Sequence, residues 1–150
     1  MSDRREQPLG RQADAGIEGA GMLVARLPFA TTIGIRIEPH SGAALRIRMP
    51  FAPMLIGNTT LPALHGGAVA SVIEIAGQLA VMREARLRQP PVTIDSRVDY
   101  LRAGKPIDTL ADAEFVRLGR RVANLRVTAW QDDISRPIAT GSIAFLLQLG

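Results

Sequence analysis

Two hydrophobic patterns run through this chain, strict alternation over several stretches and one long stretch that is apolar almost without interruption. Ile33, Ile35 and Ile37 alternate with Gly34, Arg36 and Glu38, His40-Ser41-Gly42 supplies turn chemistry, and residues 44–49 alternate again. That predicts an antiparallel hairpin. After Gln89-Pro90-Pro91 the period is again two. It sets Val92, Ile94, Ser96, Val98 and Tyr100 on one face, and Thr93, Asp95, Arg97 and Asp99 on the other. Three further runs follow at 110–118, 122–130 and 138–147, separated by Gly119-Arg120-Arg121 and by residues 132–137. Connections this short predict antiparallel neighbours.

Residues 66–82 behave differently. They carry one charge, Glu74, and one further large polar side chain, Gln78, which predicts a helix buried nearly all round. A membrane span needs roughly 20 apolar residues, and Arg83, Glu84, Arg86 and Arg88 cut this stretch short, so the reading is a core helix and no membrane partner. A shorter helix is expected over 17–27, broken at Pro28. Residues 1–16 mix charge, Gln and Gly without apolar period and read as a mobile N-terminal arm. Asp3, Glu6, Asp14 and Glu18 interrupt any secretory signal. The order is therefore strand, strand, long helix, four strands in a single domain over 17–150. This is an α+β fold, in which a curved antiparallel sheet wraps the helix and something else covers the remainder.

Composition narrows the function. The 150 residues are 47% hydrophobic and 21% charged, which excludes a disordered chain. There is no cysteine, which excludes disulfides and thiolate chemistry and fits the reducing cytoplasm. Lys and Arg total 18 against 14 acids, a net +4. The Arg are scattered, however, and the four Phe lie in apolar runs without the basic-aromatic interleaving of a nucleic-acid surface. His40 and His65 are the only histidines, and neither sits in a metal-ligand cluster.

The chemistry concentrates in Asn58-Thr59-Thr60-Leu61-Pro62-Ala63-Leu64-His65-Gly66-Gly67, a loop read as running straight into the apolar helix. Gly66 and Gly67 leave the backbone open to a ligand, and the first N–H groups of a helix have no internal partner, so they suit an anion or a developing oxyanion. Glu74, in a helix with no other charge, must be paired, hydrogen-bonded or beside a cavity. Gln78, one turn on, shares its face. From Gly66 to Glu74 the helix rises about 12 Å, more than one carbonyl can span. If both serve one reaction, they come from different copies of the chain, which predicts a dimer with two composite sites.

The run from Asn58 through His65-Gly66-Gly67 to Glu74, together with Asp99-Tyr100-Leu101, Gly104 and the Gly119-Arg120 turn, resembles the PaaI-like acyl-CoA thioesterases of the hotdog-fold superfamily over about residues 30–148. The resemblance implies thioester hydrolysis of acyl-coenzyme A, with no cofactor beyond the coenzyme A of the substrate, in a homodimer or a tetramer built as a dimer of dimers. It implies Glu74 as general base or nucleophile, the Gly66 N–H as oxyanion donor, and Asn58 as the polar group from the facing subunit. The same resemblance puts Thr93 where some members place a Ser or Thr near the attacking water, and leaves His65 either to fix the loop or to transfer protons. Arg102, Lys105, Arg120 and Arg121 lie where the family receives the nucleotide, whose phosphates suit Arg. The alternative reading is a non-catalytic hotdog protein that binds acyl-CoA or an acyl chain.

Overall fold

Six antiparallel strands, in the order β1-β2-β6-β7-β8-β5, form the main sheet of the computed structural model, which describes residues 19–148. The arm expected over residues 1–16 lies outside the described residues. The strands are β1 (Arg36–Glu38), β2 (Leu45–Met49), β5 (Val92–Tyr100), β6 (Thr109–Leu118), β7 (Val122–Trp130) and β8 (Ala139–Leu146). The predicted first hairpin is present, with Ile37 opposite Ile47. It starts later than the alternation suggests, because Ile33 caps the helix α1 (Pro28–Thr32). Pro28 does not end a helix either. Residues 19–24 are helical, and after a turn Pro28 opens α1 at its first position, where its missing N–H costs nothing.

The long helix α2 (Gly66–Glu84) lies against β2, β6, β7 and β8. Ile73, Leu79 and Phe145 are fully buried between helix and sheet, each contributing roughly 1.5–3 kcal/mol. Two glycines let the layers close. A Cβ on Gly77 of α2 would stand 2.9 Å from the Phe145 ring, and one on Gly141 of β8 would stand 2.4 Å from Ile73 Cγ2. Helix and strand thus each seat a large side chain in the other's glycine gap.

α2 is not buried all round, as its composition suggested. Ser71, Glu74 and Gln78 form a half-buried stripe at helical spacing on the side away from the strongest sheet contacts. The segment leading through α1, anchored by buried Leu27, Ala30 and Ile33, covers that side. The loop before α2 is also more regular than read from sequence. After a 3₁₀ turn at Pro53–Leu55, β3 (Ile56–Asn58) and β4 (Ala63–Leu64) form a separate antiparallel pair.

β5 is an edge strand paired only with β8, and its register slips between Thr93 and Asp95, leaving Ile94 as an extra residue. The bulge shifts the alternation. Thr93, opposite buried Phe145, therefore shares a face with Val98 and Tyr100, opposite Gly141 and Ala139. Strict alternation had set Thr93 against them.

Candidate active site

His65 caps α2. Its Nδ1 accepts from the Gly67 N–H at 2.9 Å, while its own carbonyl accepts from Ala68 and Val69. Its backbone N–H is held by Leu55 O at 2.8 Å, and Gly57 approaches so closely that a Cβ there would lie 2.7 Å from His65 Cα. Gly67 therefore spends its N–H on the cap. The N–H of Gly66, at the first helical position, has no acceptor within the helix, and Gly66 is exposed. The phenol of Tyr100 donates to Gly66 O at 2.8 Å, tying the helix start to the end of β5.

Glu74 sits two turns further along. Its Oε1 accepts from the Thr93 hydroxyl at 2.6 Å, and no cation pairs with it among the described residues. Beside it opens a cleft of about 240 Å³. One wall is the α2 stripe of Ser71, Glu74, Ile75 and Gln78; the other is Leu27, Pro28, Phe29 and Ala30. Ser71 is itself tied back to Gly67 O at 2.7 Å. The carboxylate thus faces a mostly apolar cleft while one oxygen is fixed by a neutral donor, which suits a general base or a nucleophile. Gly66 and Glu74 make their β5 contacts at opposite ends of that strand, at Tyr100 and Thr93, so one chain keeps the two groups apart.

Asn58 is exposed at the tip of the β3-β4 pair. Its Oδ1 accepts from the N–H groups of Thr60 (2.9 Å) and Leu61 (3.2 Å), leaving its amide NH₂ for any other partner. The four cationic candidates do not gather. Arg102, bonded to Pro137 O at 2.9 Å, and Lys105, 3.4 Å from Asp132, follow the C-terminal end of β5. Arg120 and Arg121 lie at the β6-β7 turn, the opposite end of the sheet, where they line a second cleft of about 320 Å³ with Arg117 and Asn124. Among the described residues no three His, Asp or Glu side chains form a metal-binding group, and no helix is long and apolar enough to cross a membrane.

This geometry can be set beside known proteins. The family model described as the thioesterase superfamily matches residues 61–138, which runs from the β3-β4 turn through α2 to the connection before β8. The chain belongs to the thioesterase superfamily. Among curated thioesterase relatives, the medium/long-chain acyl-CoA thioesterase YigI of Salmonella typhimurium is 30% identical over 125 residues, covering 75% of this chain and 81% of that protein. A crystal structure of a Chromobacterium violaceum protein is 31% identical with a TM-score of 0.71, covering 93% of this chain and 98% of the other. Another, a Shewanella oneidensis protein related to the thioesterase superfamily, is 26% identical with a TM-score of 0.73, covering 95% and 100%. The sheet curled about α2 is the hotdog fold of thioesterases. Six of the eight residues that line the cleft, all but Glu74 and Gln78, escaped sequence reasoning. Ser71, three residues before Glu74, was legible from helical spacing; Phe29 carried no local signal beyond following Pro28.

Proposed function

We propose that this protein hydrolyses medium- to long-chain acyl-CoA thioesters to the free acid and coenzyme A. The observation that carries the reading is Glu74 held by Thr93 at the rim of an apolar cleft. YigI, the relative at 30% identity, is named for the same substrate class. The thioester carbonyl oxygen takes the Gly66 N–H, and the carbonyl carbon meets Glu74. Glu74 either removes a proton from the attacking water or attacks the carbon itself, giving an anhydride that water opens. In both routes the C–S bond breaks and the proton ends on the departing thiolate. No cofactor takes part, and a cysteine-free chain acting on acyl-CoA fits the cytoplasm.

The working unit of this reading is a homodimer, with a tetramer as its dimer of dimers, in which Gly66 and Asn58 of one copy face Glu74 of the other. The rise of about 12 Å between Gly66 and Glu74 supports it, as does the exposed edge of β5 with Val92, Ile94 and Tyr100 open to solvent. Arg102, Lys105, Arg120 and Arg121 receive the coenzyme A phosphates. Because they lie at opposite sheet ends, the two pairs serve one nucleotide only across copies.

The test is thiol release from an acyl-CoA series by wild type and Glu74→Gln, with folding and oligomeric state followed in parallel. Loss by orders of magnitude in the variant alone supports hydrolysis through Glu74. Acyl-CoA bound without hydrolysis by wild type would replace it with a binding protein. Gly66→Pro removes one N–H at a position where helices tolerate proline. Mixing it with Glu74→Gln regenerates one intact site per mixed dimer, so recovered activity supports the shared site and no recovery refutes it.

A further inference from the structure

We propose that Phe29 is the residue that selects the acyl group, acting as one wall of the cleft that holds Glu74. The proposal rests on the thioesterase reading above and adds the identity of the specificity determinant. Three observations carry it. First, α1 is firmly seated at its flanks, with Leu27 and Ile33 only 7% and 6% exposed and Ala30 sealed, yet Phe29 between them is 55% exposed and lines the cleft. The ring is thus left out of the core and stands on the cleft wall, where an apolar group bound in the cleft would cover it. Second, the facing wall from α2 is the one that carries Glu74, so a group touching Phe29 lies beside the reacting carbon. Third, the lining suits the acyl side of the thioester better than the pantetheine side. Pantetheine brings two amides that need polar partners, whereas this cleft offers only Ser71, already donating to Gly67 O, and Gln78 besides Glu74.

An apolar pocket discriminates chains by how well they fill it, and one methylene is worth about tenfold or more in kcat/KM. Truncating the ring widens the cleft and enlarging it narrows the cleft, so the two changes move preference in opposite directions. Ring size should therefore control the profile without touching Glu74.

The experiment measures kcat/KM on a series of saturated acyl-CoAs from short to long for wild type, Phe29→Ala and Phe29→Trp of the full chain. The readout is the ratio of long-chain to short-chain kcat/KM within each variant, which a reduced folded fraction does not alter. The expected result is a shift of about tenfold in that ratio, toward longer or bulkier chains for Phe29→Ala and toward shorter ones for Phe29→Trp. An active wild type with unchanged ratios in both variants overturns the proposal and leaves the thioesterase reading standing. A uniform rise in KM for every acyl-CoA, matched by weaker inhibition by free coenzyme A, overturns it by assigning the cleft to pantetheine. An inactive wild type across the whole series overturns both readings together.

Discussion

Thr93, on the edge strand, donates its hydroxyl to Glu74 Oε1 across 2.6 Å, the one side-chain hydrogen bond by which the sheet reaches this carboxylate. The bond fixes which oxygen remains free to face the cleft. A hydrogen bond to a carboxylate is worth about 1.5–3 kcal/mol. Thr93→Val, which keeps the shape and loses the donor, should lower kcat about 10- to 100-fold with little change in KM. Thr93→Ser should restore most of it. Steady-state kinetics of the three proteins check this, and a fall in melting temperature with kcat unchanged would reduce Thr93 to a structural contact.

His65 is expected to act as a helix cap. Replacing it by Ala removes the acceptor for the Gly67 N–H and should cost about 0.5–2 kcal/mol. His65→Asn can still cap and should recover the stability. Urea denaturation reads the stability and thiol release reads the chemistry. A stable His65→Asn protein with kcat within a few-fold of wild type fits the cap. A stable but inactive one would show that the ring's other nitrogen meets the substrate.

Asp108 gives the fold an acid-side dependence. Its carboxylate accepts from the Phe51 N–H at 2.8 Å and from Arg48 at 3.2 Å, and these contacts hold it below the ordinary value of 3.8, the Phe51 bond foremost. A carboxylate with a lowered value stabilises the folded state above 3.8 and loses that contribution as pH falls through its depressed folded value. The side chain is 45% exposed, so the effect is modest. Asp108→Asn should flatten this part of the stability profile, measured as the difference in urea midpoint between the two proteins from neutral pH down past that value. Parallel profiles would assign the acid sensitivity elsewhere.

Elements long enough to display a period were legible in the sequence. α2 and the strands β2, β6, β7 and β8 fall within one or two residues of their expected bounds. The β3-β4 pair was not, because strands of three and two residues hold no measurable alternation. Pro28 was read as a stop, although the same fixed φ serves equally to start a helix. At the site, Glu74 and Gln78 announced themselves as polar groups in an apolar helix. Thr93 came from family resemblance and ran against the alternation of its own strand. The four cationic candidates are adjacent to turns in sequence, but only the pairing order of the strands reveals that they occupy two opposite rims.

The extra residue in β5 gives that strand two phases. Thr93 and Tyr100 stand an odd number of positions apart, yet both reach α2, one at Glu74 and the other at Gly66 O. A strand without Ile94 would lose only an exposed, unpaired residue, yet it would turn one of these two side chains to solvent. The length of β5, counted in parity rather than in ångströms, is thus what lets a single strand brace both the start and the middle of α2. Insertions or deletions there would be felt at the carboxylate before they were felt in the core.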